Sequence, residues 1–370
     1  MQFIDLAAQQ ARLRPQLDRA IARVLDEGQY VMGPDVARFE KQLAEFCGAK
    51  HCLSCANGTD ALQLALMALG IGQGDAVFVP SFTFAATAEI APLVGATPVF
   101  VDVLSDTFNM DPESLKRAIA QAKDDGLRPA AVIPVDLFGL AADYNAIEAI
   151  CRENDLKLIS DSAQGFGASY HGRITGSIGD IATTSFFPAK PLGCYGDGGA
   201  TFTNDDELAA LLDSYRVHGK GHHKYFNDRV GLNSRLDTLQ AAILIEKLAI
   251  YADELEARQK VADRYDAGLS NRYETPYIPD GQTSVWAQYT LKAANKAERD
   301  GLMEKAKAAG IPTVIYYPMP LHQQKAYKDF PRDPKGLGVS EDLSHRVVSL
   351  PMHPYLDRET QDRIIDVVAG

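Results

Sequence analysis

The sequence predicts an α/β protein: a large domain on a mostly parallel seven-stranded sheet, followed by a smaller C-terminal α+β domain. Three observations carry this. Short apolar runs alternate with amphipathic helical patterns from His51 to Thr203, the alternation of a layered sheet with covering helices. After Gly231 the texture changes to long helical stretches with scattered short apolar runs. The 370 residues are long for one compact core and suit two domains. The expected division is a large domain over 1–245 and a small one over 246–370, with the N-terminal segment a candidate to pack on the small domain.

The chain opens with two helical patterns, Ala11–Glu27 and Pro34–Cys47, split by the turn-like Gly28-Gln-Tyr-Val-Met-Gly33. Strand-like runs follow at His51–Ala56, Ala76–Pro80, Thr97–Val101, Ala130–Val135, Leu156–Ser160, Ile181–Phe186 and Gly199–Thr203. The clearest helical stretches between them are Asp60–Leu69, Thr87–Leu93, Glu113–Lys123 and Ala142–Asn154, with Asp206–Val217 after the last strand. Between the last two strands there is a glycine-rich turn and no crossover helix, which allows an antiparallel pair there. From Leu236 to about Leu269, apolar residues recur at three- and four-residue spacing, the pattern of one long helix joining the domains. Thr275–Pro279, Ser284–Lys292 and Thr313–Pro318 read as extended, with helices over Ala297–Ala309 and from Arg358.

Composition excludes several function classes. The 37 basic against 49 acidic residues give a net charge of −12 with no basic tract, which disfavours nucleic acid and anionic membranes as partners. A small anion is compatible, since helix N-termini and a few local cations hold phosphate on an acidic protein. No run approaches the roughly 18 apolar residues of a membrane span, and Met1-Gln-Phe-Ile-Asp5 lacks the basic and apolar regions of a secretory signal. A cytoplasmic protein is expected. Cys47, Cys52, Cys55, Cys151 and Cys194 are an odd number without framework spacing and read as buried structural cysteines. In an extended segment, Cys52 and Cys55 point to opposite faces. His218, His222 and His223 lack an accompanying cysteine or carboxylate cluster, so they read as a polar loop and no metal is expected.

Ligands of an open α/β sheet sit outside the carboxyl ends of its strands, and several candidates fall there. Lys190 follows an apolar run on a bend between Pro188 and Pro191, ahead of Gly193, Gly196, Gly198 and Gly199; alone it reads equally as a solvated strand end. Asn57-Gly58-Thr59-Asp60 joins a strand to a helix, which suits either a phosphate or an ordinary N-cap. Asp161 ends an apolar strand, where a carboxylate is costly to bury without a cationic partner, although it could also cap the following turn. Phe84 lies just after another strand, a common place for a core aromatic. Taken together they match pyridoxal 5′-phosphate (PLP). That cofactor needs a lysine for a Schiff base, a carboxylate at the ring nitrogen, a phosphate cup and a flat face against the ring.

The motifs Asn57-Gly-Thr-Asp-Ala-Leu62, Pro80-Ser-Phe-Thr-Phe84, Asp161-Ser-Ala-Gln164, Ser185-Phe-Phe-Pro-Ala-Lys190, Gly196-Asp-Gly-Gly199 and Gly231-Leu-Asn-Ser-Arg-Leu-Asp-Thr-Leu-Gln240 occur in this order. With them the chain resembles the fold-type I PLP-dependent sugar aminotransferases of the DegT/StrS type over essentially its whole length. The resemblance implies that Lys190 anchors the cofactor, Asp161 pairs with the ring nitrogen, Gln164 contacts the ring's 3-oxygen and Phe84 stacks on the ring. It further implies that Gly58, Thr59 and Ser185 hold the phosphate, and that Asn233 reaches the phosphate of the other subunit in a homodimer with shared sites. Arg235, Tyr317 and His322 are the substrate-side candidates, although Arg235 also reads as a surface residue at a helix start and His322 as a capping histidine. Relatives with histidine in place of the lysine are dehydratases; lysine here favours amino transfer, with L-glutamate as donor.

The texture around Lys190, with Phe187-Pro188 and Asp197, is most similar to members that aminate C3 of a 3-keto nucleotide sugar. Nearest are those acting on UDP-2-acetamido-3-oxo-glucuronate in bacterial O-antigen synthesis. A dTDP-3-keto- or 4-keto-6-deoxyhexose is the alternative substrate, and a non-catalytic PLP-binding regulator the alternative class. A Rossmann-type oxidoreductase would need a glycine fingerprint after the first strand, and none is present.

Overall fold

The structure is a computed structural model that describes residues 1–223 and 225–370. Two helices open the chain, α1 (Leu6–Glu27) and α2 (Pro34–Cys47). Gly28 ends α1 in the left-handed region at φ 68°, and Gly33 with Pro34 starts α2, the expected glycine stop and proline start. The alternating region then runs β1 (His51–Cys55), α3 (Gly58–Ala68), β2 (Asp75–Pro80), α4 (Ala86–Leu93), β3 (Thr97–Val101), α5 (Pro112–Asp124), β4 (Arg128–Val132), α6 (Tyr144–Asn154) and β5 (Lys157–Asp161). After the short β6 (Ser169–Tyr170) and β7 (Arg173–Ile174) come β8 (Ile181–Ser185), β9 (Gly199–Thr203) and α7 (Asp206–Tyr215). Side chains of Asn57, Asp111, Asp143 and Asp205 cap the helices that follow them, each satisfying a first-turn N–H.

The main sheet has the order β1-β9-β8-β5-β4-β2-β3. Pairs among β8, β5, β4, β2 and β3 are parallel, while β9 runs antiparallel to both β8 and β1. The predicted mostly parallel, seven-stranded sheet is therefore present, with its exception where the crossover helix is missing. Its strands are buried almost throughout, as in a sheet covered on both faces. Cys52 packs with Phe39 and Leu43 on one face, and Cys55 with Leu62 on the other. All five cysteines are free and buried.

The remaining elements are α8 (Thr238–Leu248), α9 (Tyr251–Leu269), β10 (Gln282–Thr283), β11 (Tyr289–Lys292), α10 (Lys296–Ala308), α11 (Gly338–Arg346), β12 (Val347–Leu350) and α12 (Arg358–Ala369). Here the sequence reading needs correction. The single helix expected over 236–269 is two, broken at Ile250, whose φ −109° and ψ 2° lie outside the helical region. The break lets Tyr251 bury its ring and donate to the Phe166 carbonyl at 2.6 Å. Continuous periodicity conceals such a kink, because both pieces are buried on matching faces.

Of the three extended runs, only Tyr289–Lys292 becomes a strand of this region's sheet. Val285 and Gln288 instead donate backbone N–H groups to the carbonyls of Gly139 and Phe138, in the turn after β4. Thr313–Pro318 makes one isolated bridge, Val314 to Ser349, and Thr275–Pro279 is irregular. The strand that pairs with β11 is β12. These strands and α9, α10 and α12 enclose a separate core that includes Tyr265, Leu291, Leu302, Val348 and Ile364. The N-terminal segment reaches this side of the molecule: Gln9 donates to the buried Glu254 carboxylate at 3.0 Å, and Met352 N–H donates to the Phe3 carbonyl. Among the described residues no helix is long and apolar enough to cross a membrane.

Candidate active site

Lys190 sits just beyond β8, at the sheet's carboxyl end. Phe186 N–H closes onto the Gly198 carbonyl and Lys190 N–H onto that of Phe187, at 2.7 and 2.8 Å, folding the bend back on itself. Gly193 is required there: a Cβ on it would lie 2.5 Å from the Pro188 carbonyl oxygen. The lysine is half-buried. Burial pushes its amine below the ordinary 10.5, and the Asp161 carboxylate opposes that shift.

Asp161 is the last residue of β5 and is buried. One carboxyl oxygen accepts from Ala163 N–H at 3.1 Å and the other from the Thr87 hydroxyl at 2.9 Å. Burial raises its pKa above the usual carboxylate range, while the two donors and Lys190 pull it down. A cationic partner would favour the ionised form further.

The third part is a cradle. Asn57 takes Asp60 N–H with its side chain and Ala61 N–H with its carbonyl, while Gly58 and Thr59 lie in the first turn, where N–H groups have no acceptor one turn back. The helix presses on Ser185 at the end of β8: a Cβ on Gly58 would stand 2.6 Å from the Ser185 Cβ. First-turn amides, a serine hydroxyl and the positive end of α3 bring together the donors and partial charge that an anion takes up. The aromatic pair splits, Phe82 being fully buried and Phe84 58% exposed, so Phe84 is free of the core and available to a planar ligand.

Gln164 and Tyr317 come together: the Gln164 side chain accepts from Phe138 N–H at 3.0 Å and donates to the Tyr317 hydroxyl at 3.1 Å. His322 is buried, with Nδ1 2.7 Å from the Ser81 hydroxyl and Nε2 3.0 Å from Glu341. Because the carboxylate only accepts, Nε2 carries a proton. Both ring nitrogens are thus engaged within the chain, and His322 fastens the segment after Tyr317 to the Ser81 loop. Asn233 and Arg235 line an open cleft of roughly 450 Å³ with Val31, Ala56, Gly196 and Asp197; the Arg235 guanidinium donates to the Asn233 side-chain oxygen at 2.5 Å. His222 and His223 are exposed and pack on Phe226, and among the described residues no group of three or more histidines, cysteines or carboxylates could hold a metal.

Sequence reasoning missed two supports. Thr87 lies 74 residues from Asp161, with no motif to pair them. Asp136 is wholly buried behind the Asp161–Gln164 turn, accepting from the Ser162 and Tyr144 hydroxyls at 2.7 Å each and from Ala142 N–H at 3.1 Å. Burial lifts its carboxyl from 3.8 to about 7. Between about pH 4 and about pH 7 the folded chain holds a proton that the unfolded chain has lost, so this group makes stability fall as pH rises. Urea melts at about pH 5 and about pH 8 should show a smaller fall for Asp136→Asn than for the parent; parallel losses would show that another group titrates.

A half-buried amine and a buried carboxylate that influence each other, beside an anion cup at the carboxyl ends of a mostly parallel sheet, define a PLP-dependent enzyme of fold type I. The donor set and the cradle fit that cofactor. More closely, the chain belongs to the DegT/DnrJ/EryC1/StrS aminotransferase family, whose model matches residues 12–369, and it is an aminotransferase. It is 50% identical over 358 residues, 96% of each chain, to the UDP-2-acetamido-2-deoxy-3-oxo-D-glucuronate aminotransferase of Pseudomonas aeruginosa. The structure is similar to a DegT/DnrJ/EryC1/StrS aminotransferase from Brucella abortus, with TM-score 0.97, 56% identity and coverage of 100% and 98%. It is also similar to NtdA from Bacillus subtilis with bound cofactor PMP, with TM-score 0.88, 29% identity and coverage of 99% and 82%.

Proposed function

We propose that this chain transfers the amino group of L-glutamate to C3 of UDP-2-acetamido-3-oxo-glucuronate, for bacterial O-antigen or related polysaccharide synthesis in the cytoplasm. The observation that carries the reaction type is the buried Asp161 carboxylate at the end of β5 and the Lys190 amine just beyond β8, each acting electrostatically on the other, beside the close approach of Gly58 to Ser185. Support for the sugar is the 50% identity to the Pseudomonas enzyme along nearly the whole chain.

In this reading Gly58, Thr59 and Ser185 hold the cofactor phosphate, Phe84 covers one face of the ring, and Gln164 lies toward its 3-oxygen. Asp161, held by Ala163 and Thr87, would lie at the ring nitrogen, where its carboxylate would keep that nitrogen protonated. When bound, the cofactor supplies an electron sink for the charge left at the donor's α-carbon. Lys190 would be the covalent anchor of the cofactor, and its Nζ the base that takes the donor's α-proton. That role needs a neutral amine, which burial favours. Asn233 and Arg235 serve the neighbouring site of a homodimer, Asn233 at the phosphate and Arg235 at an anionic part of the substrate. Supporting this, Tyr30, Val31 and Met32 are exposed apolar residues beside that segment, with Val31 bridged to Asp237. Such a patch fits a second copy. Tyr317 and His322 shape the substrate side, His322 through Ser81.

A binding survey with amino-sugar products tests the substrate. UDP-3-amino-glucuronates are expected to bind at least about tenfold more tightly than dTDP-4-amino-6-deoxyhexoses, or about 1.4 kcal/mol. Preferential binding of the dTDP sugars would overturn the C3 and UDP assignments.

A further inference from the structure

On α8, two side chains two turns apart grip the loop that carries Lys190. Gln240 accepts from Tyr195 N–H at 2.8 Å and donates to the Tyr195 carbonyl at 3.2 Å. Two turns further along, Lys247 is 1% exposed and donates from Nζ to the Gly193 carbonyl at 2.5 Å, with its ammonium 4.2 Å from the centre of the Tyr195 ring. No carboxylate forms an ion pair with Lys247 among the described residues. A buried cation with no such partner is expensive, and a leucine would fill the same helix face without that penalty. What the ammonium adds is directional: it fixes one carbonyl of the bend between β8 and β9, which is otherwise closed on itself by Phe186 N–H to the Gly198 carbonyl and by the Cys194 N–H and thiol, both to the Phe186 carbonyl.

We infer that Lys247, together with Gln240, is a positioning residue that locks the Gly193–Tyr195 stretch to α8 and thereby holds Lys190 in line with Asp161. Lys247 touches neither substrate nor cofactor in this role; it acts through the loop. Burial draws its ammonium down to about 8, with Cys194 and Glu254 opposing, so the charged form still prevails at neutral pH. The inference rests on the reading of Lys190 as the reacting amine, but the stiffness of the loop can be read without it.

The experiment is hydrogen–deuterium exchange on the holoenzyme, comparing the parent with Lys247→Met and Gln240→Leu. The amides of Lys190 and Cys194 are expected to exchange at least about tenfold faster in either variant, with β4 and β5 unchanged. The glutamate half-reaction of Lys247→Met should slow about tenfold at saturating donor, with its dependence on donor concentration unaltered. If Lys247→Met does not fold, Gln240→Leu carries the comparison. Unchanged exchange in the loop, or acceleration spread evenly over the sheet with a matching fall in Tm, would overturn the positioning role. Loosened loop amides with an unaltered half-reaction would overturn the link to Lys190. Loss of the reading of Lys190 itself would appear instead as an active Lys190→Ala enzyme.

Discussion

Lys190→Ala is expected to lose amino transfer by at least about 10³-fold, equivalent to about 4 kcal/mol of transition-state stabilisation. The substitution removes both the covalent anchor and the group that moves the α-proton. Its cost to folding should be small, because the side chain is only half-buried and its backbone N–H, not its amine, makes the turn with Phe187. A cooperative melt close to the parent's should therefore accompany the lost rate. Residual turnover within about tenfold of the parent would assign the base to another residue.

Asp161→Asn carries the second large effect. The amide keeps the shape of the carboxyl and one acceptor for Ala163 or Thr87, but it removes the charge that holds the ring nitrogen protonated. A fall of about 10² to 10³-fold in the glutamate half-reaction is expected, of the order of 3–4 kcal/mol, with cofactor affinity reduced as well. Burial raises the Asp161 pKa in the free site, and a bound cation lowers it. The parent should thus keep its rate to lower pH with the cofactor loaded than a freely protonating carboxyl would allow. The pH profile of Asp161→Asn should lack that acid limb. Equal rates for Asp161→Asn and the parent would remove the carboxylate from the mechanism.

Much of this arrangement was legible in the chain because its parts sit at strand ends. Gly58, Asp161 and Lys190 each close or follow an apolar run, and the helix or turn beyond each is signalled by Asn57, Ala163-Gln164 and the prolines around Lys190. The parallel sheet followed from crossover helices, and its antiparallel exception from the absence of one. What the sequence concealed depends on distant pairing. Thr87 and Lys247 sit in helices and Asp136 in the loop after β4, at positions whose spacing is ordinary, and only the fold brings them to Asp161, Ser162 and Gly193. His322 matched a motif, yet its two nitrogens turn to Ser81 and Glu341, a contact that no local pattern announces. The C-terminal strands were misjudged for a related reason. Val285 and Gln288 look extended, but their backbone groups bond to the Phe138–Gly139 turn.

Lys190 is the residue proposed to bond to the cofactor. Borohydride reduction of the holoenzyme fixes that bond, and peptide mass spectrometry then finds it. The cofactor mass is expected on the peptide containing Lys190 and on no other lysine, Lys247 included. Recovery of the label on a different lysine, or of no labelled peptide from protein that retains its visible absorbance, would contradict it.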